Sequence, residues 1–139
     1  MQRILVAVDG SKPAERAVRH VIGLAAAGMK LHVLVVNVQL EWAPAHSTEE
    51  KDEGRRLHAE AAEQATRRAR ALIKAAGIPY ESIMRVGDEA EKIVALARAR
   101  KCSQIAMGMR GLGAIARVVL GSVSLKTLQL AQVPVTIVK

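Results

Sequence analysis

An α/β fold on an open parallel sheet is what this sequence predicts. Three observations support it. Short, continuous apolar runs alternate along the whole chain with segments of helical period, an order that makes a parallel sheet with right-handed crossovers and helices on both faces. The apolar content is Ala, Val, Leu and Ile, with no Phe and single aromatic residues at Trp42 and Tyr80, a mixture suited to helices packed closely on a β-branched sheet. At 139 residues and 50% hydrophobic content, the chain fits one domain, residues 1–139, with a sizeable core.

The elements follow in order. Arg3 to Val8 is an apolar run of the kind buried on both faces, ended by Asp9-Gly10-Ser11. Ser11 can cap the next helix and Pro13 suits its first turn, while Ala14, Ala17, Val18, Val21 and Ala25 recur at helical spacing until Gly28. Leu31 to Val38 is a second buried strand, and Gln39 to Ser47 is a loop carrying Trp42 and Pro44. A long helix is expected over 48–76, with an inner stripe of Leu57, Ala61, Ala65, Ala69, Leu72 and Ala76, closed by Gly77. Ile78 to Val86 is a strand whose half-polar alternation suits a sheet edge.

Asp88 with Glu91 three residues on reads as a capping pair for a helix with Ala90, Ile93, Val94 and Ala97 inward. Ser103 to Met107 is the fourth strand, Ser122 is expected to cap the last helix, and Pro134 to Val138 is the fifth strand. Alternation alone does not give the order of the strands. It does direct attention to the loops after strands one and four, because ligands of such sheets sit beyond the carboxyl ends of strands where the strand order reverses.

A net charge of +8 raises nucleic acid and anionic surfaces as partners. Against this, the basic residues in mid-chain alternate with Glu49, Glu50, Asp52, Glu53, Glu60 and Glu63, and the chain has neither a basic arm nor an aromatic stacking platform. Nucleic acid and membrane are therefore not expected partners. Cys102 is the only cysteine and His20, His32, His46 and His58 lack ligand spacing, so no disulfide framework or metal site is expected. No leader-like or membrane-spanning run is read, and a soluble cytoplasmic protein is the expectation.

The chemistry concentrates in one loop. Gly108 and Gly111, then nine residues to Gly121-Ser122, follow a strand and lead into a helix, presenting backbone N–H groups and a positive helix terminus to an anion. After Glu91 the sequence holds no acidic residue, whereas Arg98, Arg100, Lys101, Arg110, Arg117 and Lys126 are all cationic. A phosphate reaching this loop is expected to meet no carboxylate competitor. A Walker A loop is excluded because no Lys precedes Ser122. The match of Gly111, Gly113 and Ala116 to a dinucleotide fingerprint fails for want of an acid about 20 positions on. Two simpler readings compete: Asp9 as a helix cap, and Gly108 and Gly111 as turn glycines.

From end to end the chain resembles the universal stress proteins of the UspA type. The residues that carry the resemblance are Val8-Asp9-Gly10-Ser11, the G-x2-G-x9-G-S spacing of Gly108, Gly111, Gly121 and Ser122, the following Val123-Ser124, and Val133 to Val138. The resemblance implies a Rossmann-like sheet of order 3-2-1-4-5 and the ATP-binding branch of the family. It also implies roles: Asp9 toward ribose hydroxyls, main chain near Val38 toward the adenine edge, and Gly108 and Gly111 against ribose and α-phosphate. Gly121, Ser122 and Ser124 would meet the outer phosphates together with Mg²⁺. Val8, Gly10, Ser11, Met107, Arg110 and Val123 complete the implied nucleotide site.

The expected ligand is ATP, ADP or AMP, and the expected function a nucleotide-dependent regulator or sensor in the stress response, acting on a protein partner. Fast catalysis is not expected, because Asp9 is the only acid in the two loops and no positioned base faces an attacking water. Slow hydrolysis, or a nucleotide-free interaction module, is the alternative. The family's habit of pairing its last strand implies a homodimer through Val133 to Val138.

Overall fold

The computed structural model describes residues 1–41, 46–109 and 120–139. Its elements are β1 (Gln2–Ala7), α1 (Lys12–Ala26), β2 (Leu31–Gln39), α2 (Thr48–Ala75), β3 (Tyr80–Val86), α3 (Glu89–Ala99), β4 (Gln104–Gly108), α4 (Ser122–Leu130) and β5 (Val135–Val138). The sheet order is β3-β2-β1-β4-β5, and all four pairings are parallel. The chain steps outward from β1 to β3, returns across the sheet to β4 and continues the other way to β5. Right-handed crossovers then place α1 and α2 on one face and α3 and α4 on the other.

Alternation along the central strands fills both layers. Ile4, Val6, Val33 and Val35 pack with Val18 and Val21 of α1 and Ile73 of α2, whereas Leu5, Ala7, Leu34 and Val36 pack with Ile93 and Leu96 of α3. Ile4, Leu5, Val6, Val33, Leu34 and Val35 are fully buried, and each such side chain stabilises the fold by about 1.5–3 kcal/mol over its exposed state. The half-polar strand β3 lies at an edge, as its pattern predicts.

Three readings need correction. In α2 the fully inward residues are Ala62, Thr66, Ala69 and Ile73; of the expected stripe Ala69 is buried, Leu72 packs partly buried against the core, Ala61 and Ala65 are half-buried and Ala76 is exposed. Leu57 is exposed. Thr66 is tolerated inside because its hydroxyl donates to the Ala62 carbonyl at 2.8 Å. In α3 the fourth buried residue is Leu96, and Val94 is only half-buried. At α4 the N-cap is Gly121, with extended backbone (φ −63°, ψ 160°) and its carbonyl accepting from the Leu125 N–H at 3.0 Å. Ser122 is thus already inside the helix and caps nothing.

Candidate functional site

The switch point of the sheet lies between β1 and β4, which pair from Ile4 with Gln104 to Val6 with Ala106. Their carboxyl ends bring the loop after β1 and the end of β4 to one rim. Val8 continues β1 in a buried position, its N–H donating to the Val36 carbonyl at 2.8 Å. Asp9 then turns the chain: its Oδ1 accepts from the Ser11 N–H at 3.0 Å, an Asx turn. Gly10 supplies the φ of +85° that this turn needs. Ser11 caps α1 by accepting from the Ala14 N–H at 3.3 Å. Capping therefore falls to Ser11, and the exposed Asp9 stands at the rim.

Gly108 ends β4 against the first turn of α1. A Cβ at this residue would lie 2.2 Å from the carbonyl carbon and oxygen of Pro13, so only glycine allows the two backbones to meet. Met107 beside it is fully buried, and the Met109 N–H donates to the Val138 carbonyl at 2.8 Å. Arg110 and Gly111, like Trp42, lie outside the described residues.

The start of α4 has the electrostatics of an anion seat. No side chain caps it and its first turn carries no acid, so the positive end of the helix dipole is not offset there. Val123 packs into the α3 layer. Ser124 is fully buried, and its Oγ has no hydrogen-bond partner among the described residues. Buried hydroxyls are ordinarily satisfied, which sets Ser124 apart among the described residues.

Val38 is half-buried at the end of β2, opposite Arg85 of β3. Beside it, sequence reasoning missed Asn37. This residue is buried, its Nδ2 donates to the Val8 carbonyl at 2.8 Å, and its Oδ1 accepts from Gln39 Nε2. It ties the end of β2 to the residue before Asp9. A polar side chain inside the run Val35-Val36-Asn37-Val38 was the available signal.

The expectation of unopposed cations also needs correction. Lys126 Nζ lies 3.1 Å from Asp88 and 3.6 Å from Glu91, carboxylates that precede it in sequence and face it from α3. Asp88 is held below the usual carboxylate range first by the Glu91 N–H that it accepts and then by Lys126. Arg100 pairs with Glu81, holding that carboxyl low as well. On the other face, Arg68 of α2, with a smaller contribution from Arg19, lowers Glu15 of α1. A cleft of about 90 Å³ opens beside this pair, lined by Gly10, Ser11 and Lys12 among others. Among the described residues, no helix is long and apolar enough to cross a membrane and no three potential metal-ligating side chains cluster.

Comparison with known proteins gives concordant results. The universal stress protein family matches residues 1–139. The universal stress protein YxiE of Bacillus subtilis is 31% identical over 153 aligned residues, covering 99% of this chain and 98% of that protein. A universal stress protein of Thermus aquaticus is 36% identical over 141 residues, covering 98% and 97%. Among solved structures, the hypothetical protein MJ0577 superposes with a TM-score of 0.82 at 26% identity, covering 99% of this chain and 95% of that one. A universal stress protein in complex with cAMP superposes with a TM-score of 0.69 at 28% identity, with the same coverages.

Proposed function

We propose that this chain, which belongs to the universal stress protein family, is an adenine-nucleotide-binding regulator whose site lies at the rim between β1, β4 and the start of α4. The observation that carries the reading is the start of α4, acid-free and without a side-chain cap, with the buried Ser124 hydroxyl lacking a partner among the described residues. Backbone N–H groups and a hydroxyl at a helix N-terminus are the donor set that phosphate oxygens require. The relative at 28% identity that was solved with cAMP supports an adenine nucleotide as the ligand.

In this reading the Asp9 carboxylate accepts from ribose hydroxyls, and Val38 main chain lies toward the base. Val8, Gly10 and Ser11 shape the first loop, and Met107 and Gly108 the floor. Gly121, Ser122, Val123 and Ser124 receive the phosphates, and Gly111 and Arg110 belong to the G-x2-G-x9-G-S pattern of the ATP-binding branch. ATP is the proposed ligand, with ADP and AMP sharing the site. Mg²⁺ fits as a companion of the phosphates, with serine hydroxyls as the protein donors, because hard cations bound with nucleotides draw most of their ligands from phosphate and water. The nucleotide acts by changing the conformation offered to a protein partner, and the site of action is the cytoplasm.

Titration calorimetry tests the assignment with ATP, AMP and cAMP, each with and without Mg²⁺. Asp9→Ala and Ser124→Ala are each expected to weaken ATP about tenfold, near 1.4 kcal/mol, and Gly121→Val to abolish it. The thermal midpoint of the unliganded Ser124→Ala protein should stay within a degree or so of wild type, since it loses no partner among the described residues. No heat with any nucleotide, or undiminished binding in all three variants, overturns the site.

The proposed assembly is a homodimer through Val133 to Val138. β5 is an edge strand whose four residues are only half-buried, and such an edge is a template for pairing. Sedimentation at micromolar concentration should give a dimer, and Ile137→Lys should shift it toward monomer.

A further inference from the structure

At the opposite end of the sheet from this rim, the carboxyl-terminal halves of α3 and α4 leave a cavity of about 260 Å³. Its floor is apolar and buried, made by Ala97, Cys102 and Ile105, and Leu130 and Val133 form a wall. Val94 lines it from α3, and Arg98 and Lys101 add two exposed cations to the lining. Among the described residues neither pairs with a carboxylate, whereas Arg100, between them in sequence, is occupied by Glu81. The cavity thus joins a greasy floor to two positive charges without a carboxylate partner among the described residues.

Lys101 adds a second observation. Helices α1 and α2 are followed by glycines in the left-handed region, Gly28 at φ +108° and Gly77 at φ +72°. After α3 the same turn is taken by Lys101 at φ +55°, where an L side chain is disfavoured. The Cys102 N–H closes that turn on the Ala97 carbonyl at 2.8 Å, so the end of α3 itself fixes the Lys101 backbone at the edge of the cavity.

We propose that this cavity binds a small amphiphilic carboxylate, of the class of medium-chain fatty acids. The hydrocarbon lies on Ala97, Cys102 and Ile105, and the carboxylate is held between the Arg98 guanidinium and the Lys101 ammonium. The dimensions favour a small ligand, since the volume is below the usual range for drug-sized molecules. The two cations select an anion over an alcohol of the same chain length.

Octanoate is the probe, followed by backbone amide NMR shifts and calorimetry on the intact protein. Saturable shifts are expected at Ala97, Cys102, Ile105 and Val133 and not at Asp9 or Gly108, with octanol binding at least about tenfold more weakly. The double variant Arg98→Gln/Lys101→Asn keeps a residue tolerant of the left-handed region. It should lose the preference for octanoate over octanol while retaining the thermal midpoint and the ATP affinity. Val94→Phe, which fills the cavity, should abolish both ligands. The proposal is overturned by an absence of saturable shifts, as when a second copy seals the cavity, by equal affinity for octanoate and octanol, or by undiminished octanoate binding in the double variant. Because ATP is measured in parallel, failure here and failure of the nucleotide site are read separately.

Discussion

Gly108 shows how one missing side chain positions a site. Its contact with Pro13 is backbone on backbone, so a methyl group there cannot be accommodated by the swing of a flexible side chain. Gly108→Ala must part the end of β4 from the first turn of α1, and overpacking of this kind costs about 1–3 kcal/mol. Urea denaturation should register that loss, and nucleotide affinity should fall as well, because Asp9 and the end of β4 are held in register by the same contact. The sequence showed the glycine and its phosphate-loop pattern. It could not show that the neighbour would be Pro13, since that pairing depends on α1 crossing back over β4. Asn37 was hidden for a related reason: its use is a hydrogen bond to Val8 in a neighbouring strand, and only the pairing of β1 with β2 reveals it.

At the scale of the element, α2 is two unlike halves. Residues 48–60 contain no buried position, and beside the His58 ring on the Leu40 carbonyl at 3.1 Å they carry exposed ion pairs such as Arg55 with Asp52 and Arg56 with Glu53 and Glu60. Pairs of that kind contribute little. The second half is anchored by Ala62, Thr66, Ala69 and Ile73. Hydrogen exchange should therefore be markedly faster in the first half, and exchange at equal rates along the helix would contradict this division. The existence and length of α2 were readable from composition and its closing glycine. Its phase was only partly readable, at Ala69 and Leu72, because alanines occur on several faces and Thr66 is made compatible with the core by bonding Ala62. The misplaced cap of α4 has a similar origin, since glycine and serine are adjacent there and both are acceptable N-caps.

Across the whole molecule, the fold adds long-range charge pairs to the local ones within helices. The tail that reads as uniformly basic is folded back so that Lys126 meets Asp88 and Glu91, and Arg100 meets Glu81. For Asp88 and Glu81 the folded pKa lies below the unfolded value. Their contribution is thus fully present above the unfolded carboxylate range, about pH 4, and is lost as pH falls through the depressed folded values. The urea midpoint of wild type should fall between pH 6 and pH 3 by more than that of Asp88→Asn, which keeps a capping side chain but has no charge to lose. Equal falls would remove Asp88 from the account. The sheet and its helices were legible because strand burial and turn residues are local signals, whereas these ion pairs join α3 to α4 and β3 to the end of α3.

Gly10 carries a last consequence. It is left-handed at φ +85°, and a Cβ on it would come within 3.3 Å of the Ala65 Cα in α2. Space and torsion are separate obstacles, and trimming Ala65→Gly would relieve neither, because the atoms met belong to the α2 backbone. The turn that presents Asp9 is in this sense a filter for handedness. A mirror-image alanine introduced there by chemical synthesis would suit the torsion that its natural counterpart resists, which makes chirality at one atom a way to separate the shape of the loop from its packing on α2.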